Sequence, residues 1–318
     1  MSTIESVPVV RYKPFVLRGP DSQYQALLSR LLNEGEETGS AQGVPRLAVV
    51  NHGMTFDLSN GIPVITERDV VSGKHPTFYQ ALGELCAFLN GARTQEELES
   101  FGCFWWKRWV TAEKCVKRGL QPGDLGPGSY GPAWTAFPNP NGKPFNQIQH
   151  VVEQMRERPE LITHIVSPFI PPYLGRGKGK TQEVVVVPCH GLLFIYTNPR
   201  TRELSLHHIQ RSCDVPVGLA GNLVQYAALT MMFAQVLGYT ARTLHYTISS
   251  AQCYHTNDHN PETDQRVAMR EMLSTKPQQL ATVRLNPAVT DIFAFRKEDF
   301  TIHDYYPQSE RRPVWTPV

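Results

Sequence analysis

Six cysteines are scattered over positions 86, 103, 115, 189, 213 and 253, and none forms a C-x-x-C pair. That removes the spacing signature of a zinc site and offers no disulfide framework. No metal is expected, and reduced thiols in a cytoplasmic protein are the simplest reading. No apolar run approaches the roughly 18 residues that a membrane span needs. The opening MSTIESVPVVRYKPFVLRGP has no basic segment followed by an apolar one, so no secretory signal is read. Charge of one sign is also missing: 31 basic and 29 acidic residues leave a net charge of +2. Neither a nucleic-acid partner nor a membrane is therefore expected. The Gly-rich stretch Gly123 to Gly131 lacks both G-x-G-x-x-G and a Walker lysine, so it is not a phosphate cradle. There is no internal repeat, low-complexity segment or clear linker.

What remains is an ordinary globular composition, 41% hydrophobic and 19% charged, in 318 residues. Helical spacing of apolar residues predicts helices over 22–33, 77–90, 145–158, 222–237 and 263–273. The 222–237 segment is apolar nearly all round and should be buried. Strands are expected over 46–58, 62–66, 184–187, 192–196, 204–209, 242–254, 282–285 and 292–295. The irregular order of helices and strands favours an α+β fold. It reads as an extended, proline-bearing arm over residues 1–20 and one catalytic domain over 21–318. Gly35 to Pro45 reads as a loop. Three of the five tryptophans lie in Phe104 to Trp109, as core packing or as a pocket wall.

Reactive groups concentrate in residues 184–222. An apolar run, Val184 to Val187, ends in Pro188-Cys189-His190. Two further runs flank a turn at Asn198 to Arg202, and the second ends in Gln210-Arg211-Ser212-Cys213-Asp214. The 22 positions from Cys189 to Arg211 suit a hairpin that brings its ends together. A thiol is a useful nucleophile when a cation lowers its pKa, and Arg211 is placed for that task. Arg211 and Ser212 suit an anion such as a phosphate. Asp214 and the amide of Asn222 suit the edge of a heterocycle. A buried structural thiol is the alternative for Cys189 and the preferred reading for Cys213.

These motifs resemble the thymidylate synthase family, which includes pyrimidine nucleotide hydroxymethylases. The resemblance runs from about Gln23 to the C-terminus. It is carried by Pro188-Cys189-His190, Gln210 to Asp214, Gly218 to Asn222, Gly123 to Gly131, Gly83-Glu84-Leu85 with Phe88, Asp299-Phe300 and Tyr306-Pro307. It implies a mixed sheet with helices packed around a long buried helix, and a homodimer. It implies 5,10-methylenetetrahydrofolate as co-substrate and a pyrimidine nucleoside monophosphate as substrate. Cys189 would add to C6 of the ring. Arg211 would favour the thiolate and, with Ser212 and Gln210, hold the nucleotide. Glu84 would order water and move protons, Tyr130 would assist proton removal from C5, and His190 would support the water network. Asn222 would read the ring edge and Tyr254 the sugar. Asp214 and Gly218 would face the folate.

Three departures stand out. Leu161 to Ile165 carries no arginine where the family has two that reach the phosphate across a dimer. The early arginine-threonine-glycine loop is missing, with Ala41-Gln42-Gly43 near its place. Gln252 stands where a histidine reads the sugar. Arg176, Lys178 and Lys180, in a Gly-rich basic loop, are candidates to replace the lost phosphate charge. The leading reading is a hydroxymethylase acting on CMP, dCMP or dUMP. A thymidylate synthase making dTMP from dUMP, and a catalytically silent nucleotide-binding relative, are the alternatives.

Overall fold

The computed structural model describes residues 8–180, 182–256 and 260–317. In chain order the elements are α1 (Gln23–Glu34), β1 (Glu36–Thr38), β2 (Arg46–Asp57), α2 (Thr77–Leu89), α3 (Gln95–Ser100), α4 (Ala112–Val116), α5 (Tyr130–Thr135), α6 (Gln147–Glu157) and β3 (Ile165–Val166). They continue with β4 (Leu192–Asn198), β5 (Glu203–Gln210), β6 (Cys213–Asp214), α7 (Gly218–Leu237), β7 (Thr240–Tyr254), α8 (Gln265–Leu273), β8 (Thr282–Leu285) and β9 (Phe300–His303). The main sheet has the order β1-β2-β7-β5-β4-β3, with β6 also pairing β7. It is mixed: β5 and β6 run parallel to β7, and the other pairs are antiparallel. β8 and β9 form a separate two-stranded sheet.

The α+β class, the mixed sheet and the central helix agree with the sequence reading. Residues 219–234 of α7 are all buried, because the helix packs against the sheet and against α2. It stops at Gly238, whose φ of 69° is the left-handed cap that glycine adopts without strain. On β5 the inward residues are Leu204, Leu206, His208 and Gln210, apolar first and polar last. On α7 the polar residues Asn222, Gln225 and Tyr226 come first and share one face at i, i+3, i+4 spacing. The polar end of the strand thus meets the polar end of the helix, and the apolar core gives way there to a buried polar cluster.

Three expected strands are absent. Val184 to Val187 lies outside the sheet; the backbone of Val185 bonds Leu125 instead, so the run packs as a loop. Ile62 to Thr66 makes only an isolated bridge, Ile62 with Ala281. Ile292 to Phe295 forms a turn, and the partner of β8 is β9. The expected loop 35–45 contains the short β1. In each rejected strand β-branched or apolar residues are buried by packing alone, without a ladder.

Residues 8–14 of the expected arm are mostly extended, with a short 3₁₀ turn at Phe15–Leu17, and residues 1–7 lie outside the described residues. The arm is tied down: Tyr12 Oη donates to Val283 O at 2.6 Å, and buried Arg18 donates to Leu280 O at 2.9 Å and Thr282 Oγ1 at 2.7 Å.

Candidate active site

The hairpin β4–β5 does what the spacing implied. The Cys189 carbonyl accepts from the backbone N–H of Arg211 at 2.7 Å and of Ser212 at 3.2 Å, which clamps the two ends together. Arg211 Nη2 then lies 3.4 Å from Cys189 Sγ, while Nε donates to Pro188 O at 3.0 Å. Burial pushes the thiol above its ordinary value; the Arg211 guanidinium pulls it back, with a smaller pull from Arg176. Tyr130 Oη accepts from the Cys189 N–H at 2.7 Å. Its ring stacks on Phe88 and on His190, with centroids 4.6 and 4.4 Å apart.

His190 hydrogen-bonds Tyr226 Oη, and burial lowers its pKa to about 3, so the ring is neutral. Gly191 follows with φ of 99°, which turns its N–H onto His208 Nε2 at 2.9 Å. His208 in turn stacks on Tyr226, centroids 3.5 Å apart. The neighbour His207 faces outward and is half-buried.

Glu84 is buried on α2 and fully engaged. Its Oε1 accepts from the indole N–H groups of Trp105, at 2.7 Å, and Trp106, and its Oε2 accepts from Gln225 Nε2 at 2.6 Å. Burial raises its pKa; the three donors oppose that rise. Gly83 makes the arrangement possible, because a Cβ there would sit 2.4 Å from Phe101 O. Only glycine lets the segment that carries both tryptophans lie this close to α2. The tryptophan cluster, left open between packing and pocket, thus holds the carboxylate.

Asn222 Oδ1 accepts from Gln210 Nε2 at 3.0 Å, and Asn222 Nδ2 donates to Gln225 Oε1 at 2.9 Å. Gln252 Nε2 donates to Tyr254 Oη at 2.7 Å and to Ser212 Oγ at 3.2 Å. Asp214 accepts at Oδ2 from Thr316 Oγ1 (2.7 Å) and Gln265 Nε2 (3.1 Å), which ties the C-terminal segment to the site. Burial raises the Asp214 pKa to about 6. Its Oδ1 is buried and has no hydrogen-bond partner among the described residues.

The structure therefore brings Cys189, His190, Arg211, Ser212, Tyr130, Gln210, Asn222, Gln252, Tyr254 and Glu84 into one connected region. Asp214 joins it through β6, and Gly218 opens α7 beside it. Arg176 is exposed and donates to Gln182 Oε1 at 2.6 Å. Lys178 and Lys180 are exposed, and their side chains make no hydrogen bond or ion pair among the described residues. Three participants escaped the sequence reading: Gln225, Thr316 and Arg46. Arg46, at the start of β2 opposite Tyr254, donates through Nη1 to Gln252 Oε1 and through Nε to Thr38 Oγ1 at 3.0 Å. Its place at the head of the expected strand 46–58 was the available signal.

A thiol set against a guanidinium, joined through a row of hydrogen-bonded amides to a buried carboxylate, suits nucleophilic thiol chemistry. The thymidylate synthase family model matches residues 22–313, most of the chain, and the protein belongs to that family. The family's chemistry is folate-dependent one-carbon transfer to a pyrimidine nucleotide. No helix among the described residues is long and apolar enough to cross a membrane.

Proposed function

We propose that this chain transfers a one-carbon unit to C5 of a pyrimidine nucleoside monophosphate and releases a 5-hydroxymethyl nucleotide. The observation that carries the reading is the 3.4 Å approach of Arg211 Nη2 to Cys189 Sγ beside Asn222, whose amide is held by Gln210 and Gln225. Cys189, as thiolate, forms a bond to C6, and the displaced electron pair makes C5 nucleophilic. 5,10-Methylenetetrahydrofolate, the co-substrate, supplies a one-carbon unit at the oxidation level of formaldehyde. The unpartnered Oδ1 of Asp214 fits an N–H donor of a reduced pterin, and Gly218 leaves room beside it. C5 attacks the one-carbon unit, and Tyr130 assists loss of the C5 proton as tetrahydrofolate departs, which leaves an exocyclic methylene on C5. Glu84 directs water to the exocyclic carbon, and Cys189 then leaves C6, which restores the ring. His190, neutral, orders the water network rather than carrying charge.

Arg211 and Ser212 hold the phosphate, with Arg46, which sits against Gln252, as a further cation. Gln252 and Tyr254 read the sugar. Arg176, Lys178 and Lys180 are kept as an outer ring of positive charge. A homodimer is supported by the outward face of the sheet, where Phe194, Tyr196, Ser205, His207, His245 and Thr247 are half-buried or exposed. The catalytic domain spans residues 21–318, and the location is cytoplasmic.

Hydroxymethylation is favoured over thymidylate synthesis by the altered sugar and phosphate contacts at 162–164 and 252. Incubation with methylenetetrahydrofolate and UMP, dUMP, CMP or dCMP, followed by mass analysis, tests this. A hydroxymethyl gain with tetrahydrofolate is expected. A methyl gain with dihydrofolate overturns the product, and absence of turnover with all four supports the silent relative. Cys189→Ala abolishes turnover.

A further inference from the structure

His208 is the third inward residue of β5, after Leu204 and Leu206, and it is fully buried. An apolar side chain is the ordinary occupant of such a position. An imidazole there must satisfy its two nitrogens. Nε2 accepts from the backbone N–H of Gly191 at 2.9 Å, which places the ring proton on Nδ1. Nδ1 is buried and has no hydrogen-bond partner among the described residues. A buried donor left unpaired is costly, so the bond to Gly191 is the one return the ring gives in hydrogen bonding. Burial, reinforced by His190 and His207, holds the ring neutral, so Nε2 stays an acceptor.

That bond falls where the sheet offers none. The β4–β5 ladder begins at Leu192 with Ile209, so Gly191 lies just before it. The Gly191 backbone is pressed against Trp134, where a Cβ would sit 2.9 Å from Cζ2. Two residues earlier, Cys189 is held through its carbonyl by Arg211 and Ser212 and through its N–H by Tyr130. His208 therefore fixes the far end of the turn Cys189–His190–Gly191. The same ring also supports its middle. It stacks on Tyr226, centroids 3.5 Å apart and planes 15° apart, and Tyr226 Oη is the partner of His190 Nδ1. Tyr246 leans on His208 in turn, centroids 4.5 Å apart.

We propose that His208 is a positioning residue: through Gly191 and Tyr226 it holds the turn so that Cys189 Sγ stays beside the Arg211 guanidinium, which activates the thiol. The effect on turnover rests on the one-carbon transfer reading above; the effect on the thiol does not. The test is the pH dependence of Cys189 alkylation by iodoacetamide, read by peptide mass analysis. It compares the wild type with His208→Leu, His208→Met and His208→Gln. Leucine and the more adaptable methionine fill the space without an acceptor. Glutamine puts Oε1 near the place of Nε2 and restores one. Both apolar variants should shift the alkylation midpoint upward by about 0.5–1 pH unit, because the thiolate loses its cation. They should lower kcat about tenfold, with KM for the nucleotide within about twofold. His208→Gln should return the alkylation midpoint to that of the wild type. A packing role alone would lower the urea midpoint of the apolar variants and leave the alkylation profile in place, and that outcome overturns the assignment. Equal shifts in all three variants overturn it too, because the acceptor would then not matter. A wild type that alkylates at Cys189 but turns over none of UMP, CMP, dUMP and dCMP overturns the nucleotide reading, and the alkylation profiles still decide the role of His208.

Discussion

The two ends of the cleft are built by opposite rules. At the base end Glu84, Gln225, Asn222 and Gln210 are buried on α2, α7 and β5, and each finds its partner in another of these elements or a neighbouring residue. At the phosphate end Arg211, Arg46, Arg176, Lys178 and Lys180 have no carboxylate partner among the described residues. The dry end is preorganised, and errors there cost folding energy as well as recognition. The open end leaves its cations without a countercharge until an anion arrives, so those residues contribute little to stability. Recognition of the ring is therefore bound up with the fold, and recognition of the phosphate is separable from it.

Paired substitutions break this contrast if it is wrong. Glu84→Ala leaves three buried N–H donors, on Trp105, Trp106 and Gln225, without an acceptor. Urea denaturation should show a loss of about 3 kcal/mol or more, and kcat should fall about 10³-fold. Arg211→Lys at the open end should leave stability within about 0.5 kcal/mol. It should lower kcat/KM about 10²-fold and slow alkylation of Cys189 by iodoacetamide, because a lysine lacks the planar fork that meets Sγ, Pro188 O and Val187 O together. Comparable stability losses in the two variants would remove the distinction.

The open end was largely legible in the sequence, and the dry end only in part. Cys189 and Arg211 were joined by counting positions around a turn, which depends on local hairpin geometry. α7 was legible because a helix apolar all round must be buried. Gln225 was not, since a glutamine inside an apolar helix signals nothing until α2 places Glu84 2.6 Å away. Arg46 was missed for the same reason: its partner Gln252 lies 206 residues on, across a strand pairing that sequence spacing does not encode. The run Val184 to Val187 misled because strand composition reports burial of β-branched residues, and a packed loop buries them equally well.

Asp214 lies between the two ends and sharpens the boundary. Its carboxyl is buried and raised from 3.8 to about 6 in the folded chain. The native state therefore binds more protons than the unfolded state between about pH 4 and pH 6, and the free energy of unfolding contributed by this group falls as pH rises through that window. Asp214→Asn should lack that component. The stability difference between wild type and variant, followed by urea denaturation, should shift by on the order of 1–3 kcal/mol across the window. A pH-independent difference would mean that the group is solvated like the residues of the open end.

The smallest effect is expected furthest out. Lys178 and Lys180 sit on an exposed loop whose Gly177 and Gly179 adopt φ of 107° and 72°. Neither lysine side chain makes a hydrogen bond or ion pair among the described residues, and long side chains in water lose most of their Coulomb attraction to screening. They can aid nucleotide capture only through the summed field. Lys178→Glu combined with Lys180→Glu should leave stability within about 0.5 kcal/mol and kcat unchanged. KM for the nucleotide should rise about two- to fivefold at low ionic strength, and the difference should vanish near 0.5 M salt. A larger rise that persists in salt would mean that the loop closes onto the phosphate. An unchanged KM at low salt would confine phosphate recognition to Arg211, Ser212 and Arg46.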